Sequence, residues 1–432
     1  MQVVQQEIEV QKKHLINPKV VVTILLCSLY FIMYLDRVNI SLSAKDMMKE
    51  FGFHATEIGI AFSAFSYPYL IGQLTGGWMV KQWGARLSLF ICGCIVGLST
   101  IYTGFISGLL TLFIARLLLG CGEGPTFSAA TAAMRNWYPT HRFGFIQGIT
   151  HSASRLGGAV APPLVAFFIL LDGWRAAFYV CGALSLLWAV LWYVFYRDDP
   201  HKHPGMTAED LKGLAPPSHV TKQSKIPFNA LAKRMLPVTM VDFCYGWMLW
   251  VFISWLPLFF QNVHGLNLKN SALLAGLTMA AGVVGDTLGG MISDRILVKT
   301  GRKRLARNLF IAVAFCMGGS FLLGTLFTSD ITTISILLCL SFFSMELICG
   351  TIWAVPMDIS RNYAGVAGGM MNFGFGLAGI ISPIVFGVVV DITGSWVVPF
   401  SISVSICGVG AILTWFMHPE RPFDSEHEAV AA

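Results

Sequence analysis

The chain has 432 residues, of which 55% are hydrophobic and 12% are charged, and its mean hydropathy is +0.67. A soluble protein could not bury that much apolar surface, so the composition excludes an ordinary soluble enzyme or binding protein. The formal charge of +6 comes from Lys and Arg residues that cluster in alternate loops, so we expect no nucleic-acid partner.

Apolar runs of about 20 residues recur along the chain, and each is long enough to cross about 30 Å of hydrocarbon. Gly, Pro and charged residues separate the runs. The pattern predicts an all-α membrane protein with 12 transmembrane helices in two six-helix bundles. The predicted helices are 20–43, 57–80, 86–106, 109–134, 143–170, 174–196, 235–261, 270–293, 306–328, 331–357, 362–390 and 395–417.

The predicted domains follow from these runs. The two bundles occupy residues 20–196 and 235–417, and a linker rich in Pro, His, Lys and Ser joins them over residues 197–234. Residues 1–19 and 418–432 form polar tails. Lys and Arg concentrate on the side of the tails and the linker. The positive-inside rule therefore predicts that both termini are cytoplasmic in a multi-pass protein of a bacterial inner membrane.

An internal repeat connects the two bundles. Gly290-Met-Ile-Ser-Asp294-Arg295 follows the eighth helix and precedes Gly301-Arg-Lys, and a shorter copy in the first half has Lys81 and Arg86 at the same place. Gly-x-x-x-Asp-Arg followed by Gly-Arg-Lys resembles the loop signature of the major facilitator superfamily. That resemblance implies two bundles that rock about a central site.

The loop residues have two interpretations. The family resemblance implies that Asp294 and Arg295 act in gating, and the alternative is that these loops anchor helix ends in anionic headgroups. The first-half copy departs from the family pattern because Lys81 stands where the acidic residue is usual. A carboxylate latch is therefore expected only in the second half.

Ionisable residues inside the apolar runs are the strongest functional signal, because a charge at the bilayer centre costs about 3 kcal/mol. Arg116 and Glu123 are seven residues apart in the fourth helix and share a face, as do His151 and Arg155 in the fifth. The full set is Asp36, Arg37, Arg116, Glu123, His151, Arg155, Asp242, Asp286 and Glu346.

Two of these motifs resemble the anion:cation symporter branch of the superfamily, whose members carry sugar acids and other organic anions. The motifs are Asp36-Arg37 within the first helix and Gly120-Cys-Gly-Glu123-Gly-Pro125 in the fourth. The match covers essentially the whole membrane portion. Further matching positions are Tyr34, Tyr69, Gln73, Phe113, Arg116, Asn136, Trp137, Thr351, Trp353, Gly368, Gly369 and Asn372.

The resemblance implies a role for each matching residue. Arg37 faces the substrate carboxylate, and Asp36 and Glu123 carry the coupling protons. A guanidinium offers a planar fork to a carboxylate or sulfonate, and protonation of Asp36 would free the neighbouring Arg37. Alternatively, these charges form internal salt bridges and Arg116 is scaffolding. Implied substrate contacts come from the hydroxyl groups of Tyr34 and Tyr69, the wall residue Trp353 and the amide of Asn372, although Trp353 could simply pack.

Arg155 distinguishes this chain from sugar-acid members of the branch. Ser154 stands where those members carry an amide, and Arg155 replaces an apolar residue. If Arg155 faces the cavity, two guanidinium groups suit a doubly charged anion such as a dicarboxylate or sulfocarboxylate. The alternative is that Arg155 pairs with Glu123 or Glu346.

The functional prediction is a proton symporter that imports a small organic anion, such as a carboxylate, a sugar acid, a dicarboxylate or the sulfonate sulfoacetate, by alternating access. An anion exchanger or a non-transporting membrane receptor is the alternative. No nucleotide-binding loop, His-Glu-x-x-His motif or Cys-x-x-Cys pair occurs, so we expect no enzyme, cofactor or metal. The expected partners are the anion, protons and the lipid bilayer, and we expect a monomer.

Overall fold

The computed structural model describes residues 17–139, 143–211, 214, 227–360 and 363–423. Within these ranges the regular secondary structure is entirely helical. Ten helices among the described residues are long and apolar enough to cross a membrane. Residues 1–16 of the predicted N-terminal tail, residues 212–213 and 215–226 of the linker, and residues 424–432 of the C-terminal tail lie outside the described residues.

Two bends raise the number of membrane crossings. The span Ile146–Phe195 has 50 residues, which would extend about 75 Å as one straight helix. It turns back at Asp172 and Gly173, where Gly173 has φ 77°. A second bend at Gly84, with φ 75° and ψ 167°, separates the second crossing from the third.

Twelve crossings therefore lie in the described part of the chain, as the apolar runs predict, and they form the two six-helix bundles of the predicted fold. The N-terminal half contains α1 to α6 and the C-terminal half α7 to α12. They are α1 Pro18–Phe51, α2 55–83, α3 85–103, α4 Leu109–Trp137, α5 143–171, α6 174–195, α7 Phe228–Asn262, α8 Leu268–Thr300, α9 Leu305–Phe327, α10 Ile331–Ile359, α11 Ala364–Thr393 and α12 Val397–Phe416.

Several helices continue beyond the apolar runs that predicted them. Helix α1 ends at Phe51 instead of residue 43, and α7 begins at Phe228 instead of residue 235. The extra turns of α1 contain Lys45 and Glu50. An apolar run marks the hydrocarbon, whereas backbone hydrogen bonding continues through the polar interface until a capping residue, here Gly52 with φ 71°, ends it.

Three helices are interrupted within the membrane. Helix α2 breaks at Phe65, α4 breaks at Gly124-Pro125 and α10 breaks at Trp353-Ala354. Pro125 lacks the N–H that an uninterrupted helix would use. Glu123 therefore lies at the end of the first segment of α4, where the backbone changes course.

The halves pack together most extensively at the face opposite the linker, which we call the far face. There α1 packs against α7, α2 against α11 and α5 against α8. The Asp391 carboxylate of α11 accepts hydrogen bonds from the backbone N–H groups of Ala55 and Thr56 at 3.1 and 2.6 Å, so one half caps the first turn of α2 in the other. Lys45 donates to the Gln261 carbonyl at 3.4 Å.

The face that carries the linker is different. One apolar core includes residues of both halves, but the linker-side part of the N-terminal half has a separate core composed of N-terminal residues only. Between described residues, no hydrogen bond joins the halves on the linker side of the Gln73–Asn372 pair. The two halves are thus joined at the far face and in the middle of the membrane.

Candidate substrate and coupling site

A buried ion pair lies in the middle of the N-terminal half. Arg37 of α1 donates from Nε to the Glu123 carboxylate of α4 at 2.7 Å, and the two side chains are 5% and 0% exposed. Removal of one partner from a buried ion pair strongly destabilises the folded protein, because the other charge stays buried without compensation. Glu123 is the last residue of the first segment of α4, directly before the break at Gly124-Pro125.

Aromatic rings surround the Arg37 guanidinium. Its central carbon lies 4.9 Å from the ring centroid of Tyr69, 5.2 Å from that of Phe65 and 5.3 Å from that of Tyr34. Ring faces attract a cation without neutralising it. Nη2 of Arg37 is buried and has no hydrogen-bond partner among the described residues. Arg37 therefore keeps donor capacity beyond its bond to Glu123.

Asp36 faces a different helix from its neighbour Arg37. It accepts a hydrogen bond from the Ser185 hydroxyl of α6 at 3.2 Å, and its Oδ1 atom has no hydrogen-bond partner in the described ranges. Consecutive residues point about 100° apart around a helix, which explains the divergence. The expectation that Asp36 competes directly for Arg37 is wrong for this state, because Glu123 makes that pair.

Arg116 lies deeper toward the far face on the same helix as Glu123. It is 3% exposed, and its guanidinium lies 5.3 Å from the Phe65 ring centroid. Nε of Arg116 has no hydrogen-bond partner among the described residues, and no carboxylate lies within salt-bridge distance of it there. The ring of Phe65 thus lies close to both guanidinium groups.

Arg155 of α5 joins the two halves through carboxylates of the C-terminal half. Its Nε atom contacts Asp286 of α8 at 2.9 Å, and its Nη2 atom contacts Glu346 of α10 at 3.2 Å. Nη2 also lies 2.9 Å from the sulfur of Cys349. Of the two alternatives for Arg155, the structure has the ion pair with Glu346, and it adds Asp286.

Tyr34 connects this cluster to the N-terminal ion pair. Nη1 of Arg155 lies 3.5 Å from the Tyr34 hydroxyl, and the Arg37 guanidinium lies over the ring of the same residue. One guanidinium group therefore contacts the ring of this tyrosine and the other its hydroxyl group. A short ligand with an anionic group at each end could contact both guanidinium groups.

The remaining substrate-contact candidates have different surroundings. Asn372 of α11 donates its amide N–H to the Gln73 side chain of α2, so it is a contact between the halves. Trp353 is 43% exposed at the break in α10. Ser154 is buried and donates its hydroxyl to the His151 carbonyl at 2.7 Å within α5, so that hydroxyl is satisfied by its own helix.

The predicted loop residues lie at the linker-side end of α8. Asp294 accepts a hydrogen bond from Arg307 of α9 at 3.0 Å, and Arg307 also contacts Asp358 of α10 at 3.1 Å. Arg295 is exposed and forms no ion pair among the described residues. Asp294 therefore belongs to a network that joins three helices of one half.

Sequence reasoning identified these contacts only in part. Glu346 was named as one alternative partner of Arg155, Asp286 was recognised only as an intramembrane acid, and Asp391 was not singled out. The sequence does contain a signal for Asp286 and Glu346. The membrane-spanning runs of the C-terminal half contain three carboxylates and no basic residue at mid-helix. Buried carboxylates are costly without a cation, which the other half can supply.

Comparison with known proteins places this architecture in a family. The family model described as Major Facilitator Superfamily matches residues 26–383. The chain belongs to the Major Facilitator Superfamily. This facilitator is 45% identical over 406 residues to the probable sulfoacetate transporter SauU of Cupriavidus necator, covering 93% of this chain and 94% of that protein.

Other relatives of the facilitator are named as transporters of sugar acids. It is 30% identical to the hexuronate transporter of Bacillus subtilis, with 84% of this chain and 86% of that protein covered. It is 26% identical to the D-galactonate transporter of Escherichia coli, with coverages of 87% and 89%. These relatives make the chain a membrane transporter of the organic-anion branch, not an enzyme.

Solved structures share the fold of the facilitator. The crystal structure of a D-xylose-proton symporter superposes with a TM-score of 0.74 at 17% identity, covering 93% of this chain and 97% of the other. The inward-facing, occupied structure of a bacterial homologue of the human lysosomal transporter Spinster gives a TM-score of 0.73 at 15% identity, with coverages of 92% and 94%. At these identities the comparison concerns the fold alone.

Proposed function

We propose that this protein imports a small organic dianion of the sulfoacetate type across a bacterial inner membrane, by proton symport with alternating access. The observation that carries the proposal is the pair of guanidinium groups, Arg37 and Arg155, that both contact Tyr34 in the middle of the membrane. The identity to a probable sulfoacetate transporter supports the substrate class.

Arg37 and Arg155 would each bind one anionic end of the substrate. A planar guanidinium donates two parallel hydrogen bonds to a carboxylate or a sulfonate, and a low-dielectric site strengthens the attraction. Arg37 retains an unbonded Nη2 for that purpose. Sulfoacetate has one carboxylate and one sulfonate on a single carbon, so its two charges are close enough to be shared across one tyrosine.

Further contacts complete the proposed binding site. Tyr34 and Tyr69 would offer hydroxyl groups, Trp353 would form an apolar wall, and Asn372 would contact the substrate after leaving Gln73. Ser154 contributes through its position beside Arg155, because its own hydroxyl is bonded within α5.

Asp36 and Glu123 are the proposed proton carriers. Both are buried in the N-terminal half, and each has one carboxylate oxygen without a hydrogen-bond partner among the described residues. A buried carboxylate that loses its partner is stabilised by taking up a proton. When a substrate anion engages Arg37, Glu123 loses the one cation that lies at salt-bridge distance among the described residues. Anion binding and proton binding would then reinforce each other, as linkage requires.

Alternating access would exchange the two faces of the protein. The asymmetric packing, with shared core at the far face and a separate N-terminal core at the linker face, supports a state closed at the far face. With both termini cytoplasmic, that state faces inward. Asp294 and Arg295 would serve the linker-side closure, and Arg116 would hold α4 against α2 as scaffolding.

Reconstituted transport tests this proposal directly. Purified protein in liposomes with an alkaline interior should accumulate labelled sulfoacetate, because each coupled proton contributes about 1.4 kcal/mol per pH unit, or roughly tenfold accumulation. Full pH-driven accumulation by both Asp36→Asn and Glu123→Gln would contradict the coupling roles. Dependence on an internal anion instead of the pH gradient would identify an exchanger.

A further inference from the structure

Glu346 is a buried carboxylate on the interface between the halves. Its side chain is 1% exposed, one oxygen accepts a hydrogen bond from the Tyr245 hydroxyl at 3.2 Å, and the other contacts Arg155 at 3.2 Å. Asp286 contacts the same guanidinium but is 20% exposed. Of the two acids that hold Arg155, Glu346 is therefore the one that water reaches least.

Charge balance makes this cluster unusual. Around the proposed site there are three guanidinium groups and four carboxylates, so one negative charge is in excess if every group is ionised, and a bound dianion would raise the excess to three. Uncompensated charge in a low-dielectric interior is costly, so substrate binding requires protons. The groups are Arg37, Arg116 and Arg155 with Asp36, Glu123, Asp286 and Glu346.

Several helices supply titratable groups near Glu346. Arg155 comes from α5, Tyr34 from α1 and Tyr245 from α7, and His151 lies one turn from Arg155 on α5. Asp286 of α8 and Cys349 of α10 lie close enough that their ligand-type atoms and those of Glu346 are all within 4.8 Å of one another. Arg155 supplies the full positive charge in this set.

We propose that Glu346 is a proton-binding residue of the C-terminal half that is protonated when the substrate displaces it from Arg155. This inference rests on the proposed function, and it adds a coupling site beyond Asp36 and Glu123. Arg155 would exchange one anion for another: its ion pair with Glu346 breaks, and an ion pair with the second anionic group of the substrate forms.

The proton balance of the step is simple. A proton from the aqueous compartment that supplies the substrate binds to the Glu346 oxygen released by Arg155, and Tyr245 keeps its hydrogen bond to the other oxygen. Asp286, which water reaches more readily, stays available as an ion-pair partner. After the anion leaves, Arg155 attracts the carboxylate again and the proton departs with the substrate. The interface returns to its starting charge.

Titration calorimetry of sulfoacetate binding to the detergent-solubilised full chain tests this proposal. Measured at one pH in two buffers of different ionisation enthalpy, it gives the number of protons taken up per anion bound. Glu346→Gln keeps the size of the side chain but cannot titrate. It should bind sulfoacetate with about one proton fewer than the unmodified protein, because the remaining coupling groups are unchanged.

Two further variants keep the test decisive. Asp242→Asn removes another buried acid of the C-terminal half that forms no ion pair with the described residues, so it should leave the proton count unchanged. If Glu346→Gln does not fold, Arg155→Gln combined with Glu346→Gln removes both members of the pair, and the Asp286 carboxylate that remains is 20% exposed and reaches water. That double variant should also take up one proton fewer.

The outcomes separate the two proposals. An unchanged proton count in Glu346→Gln, or in the double variant at saturating sulfoacetate, would overturn the role of Glu346, and the proposed substrate class would still stand. An equal decrease in Asp242→Asn would also overturn it, because the effect would then not depend on contact with Arg155. Absence of sulfoacetate binding by the unmodified protein would instead overturn the substrate class on which the inference rests.

Discussion

The two charge clusters of this transporter differ in which parts of the molecule they join. Arg37 and Glu123 pair within the N-terminal half at 2.7 Å, and both are buried. Arg155 pairs with Asp286 and Glu346 across the interface between the halves. A rigid half carries the first pair unchanged through a rocking motion, whereas separation of the halves stretches or breaks the second. The first can define a site, and the second can report or control the state of the protein.

This difference predicts that loss of Arg37 has the largest effect. Arg37→Gln removes the cation from a buried carboxylate, which costs about 3–5 kcal/mol of stability and should decrease sulfoacetate uptake at least about 100-fold. Thermal unfolding and liposome uptake measure the two effects separately.

A double variant separates stability from binding at that pair. Arg37→Gln combined with Glu123→Gln leaves no buried charge unpaired, so it should regain most of the lost melting temperature. It should still transport no sulfoacetate, since the anion-binding guanidinium is absent. Restored uptake in the double variant would show that Arg37 acts only as a partner of Glu123.

Loss of Arg155 should have an intermediate and more selective effect. Arg155→Ala removes the cation that would bind the second anionic group, so affinity for sulfoacetate should fall about tenfold more than affinity for its singly charged methyl ester. Binding calorimetry with the two ligands measures the ratio.

Arg155→Lys is the matched control for this prediction. It keeps the positive charge between the halves but not the planar fork, so it should retain part of the preference for the dianion. An equal loss of affinity for both ligands in Arg155→Ala would contradict a contact between Arg155 and the substrate.

The smallest predicted effect concerns the far-face contact between the halves. Asp391→Asn weakens the cap that α11 places on the start of α2, where Thr56 also donates its hydroxyl at 2.5 Å. The loss of about 1 kcal/mol should shift the population toward the state open at the far face by roughly fivefold. Distances between spin labels on noncanonical residues at Ser107 and Ser329 would report this shift.

Asp330→Asn is the corresponding control. Asp330 caps α10 in its own half by accepting from the Thr333 N–H at 2.8 Å, so its loss affects one helix end without touching the interface. A similar distance change in both variants would mean that Asp391 has no special role in closure.

The sequence predicted the crossings well and their ends less well. Each apolar run marks a segment that must satisfy its backbone inside the bilayer, and a helix does this within one segment. The ends of α1 and α7 depend on caps in the polar interface, where hydropathy carries no signal. The bends at Gly84 and Gly173 were predicted as loops at nearly the same positions.

The candidate site was also predicted only in part: the sequence indicated which residues matter, but not which of them contact each other. Residue types predicted that charges of the first, fourth and fifth helices are functional, and those roles stay predictions that the experiments above address. Pairing was harder to predict: Asp36 lies next to Arg37 in the chain, yet Arg37 reaches Glu123 and Asp36 reaches Ser185. The rotation of each helix about its axis decides such contacts.

By itself, the amino-acid sequence determined that the protein lies in a membrane, how many times it crosses the membrane, and that it buries charged groups at a considerable cost in free energy. These properties follow from local hydropathy and from the cost of burying charge, which act on each segment separately. Only the tertiary structure decided that Arg155 joins two carboxylates of the other half and that Asp391 caps α2. Such contacts depend on how two independently folded bundles face each other, and no single segment encodes that arrangement.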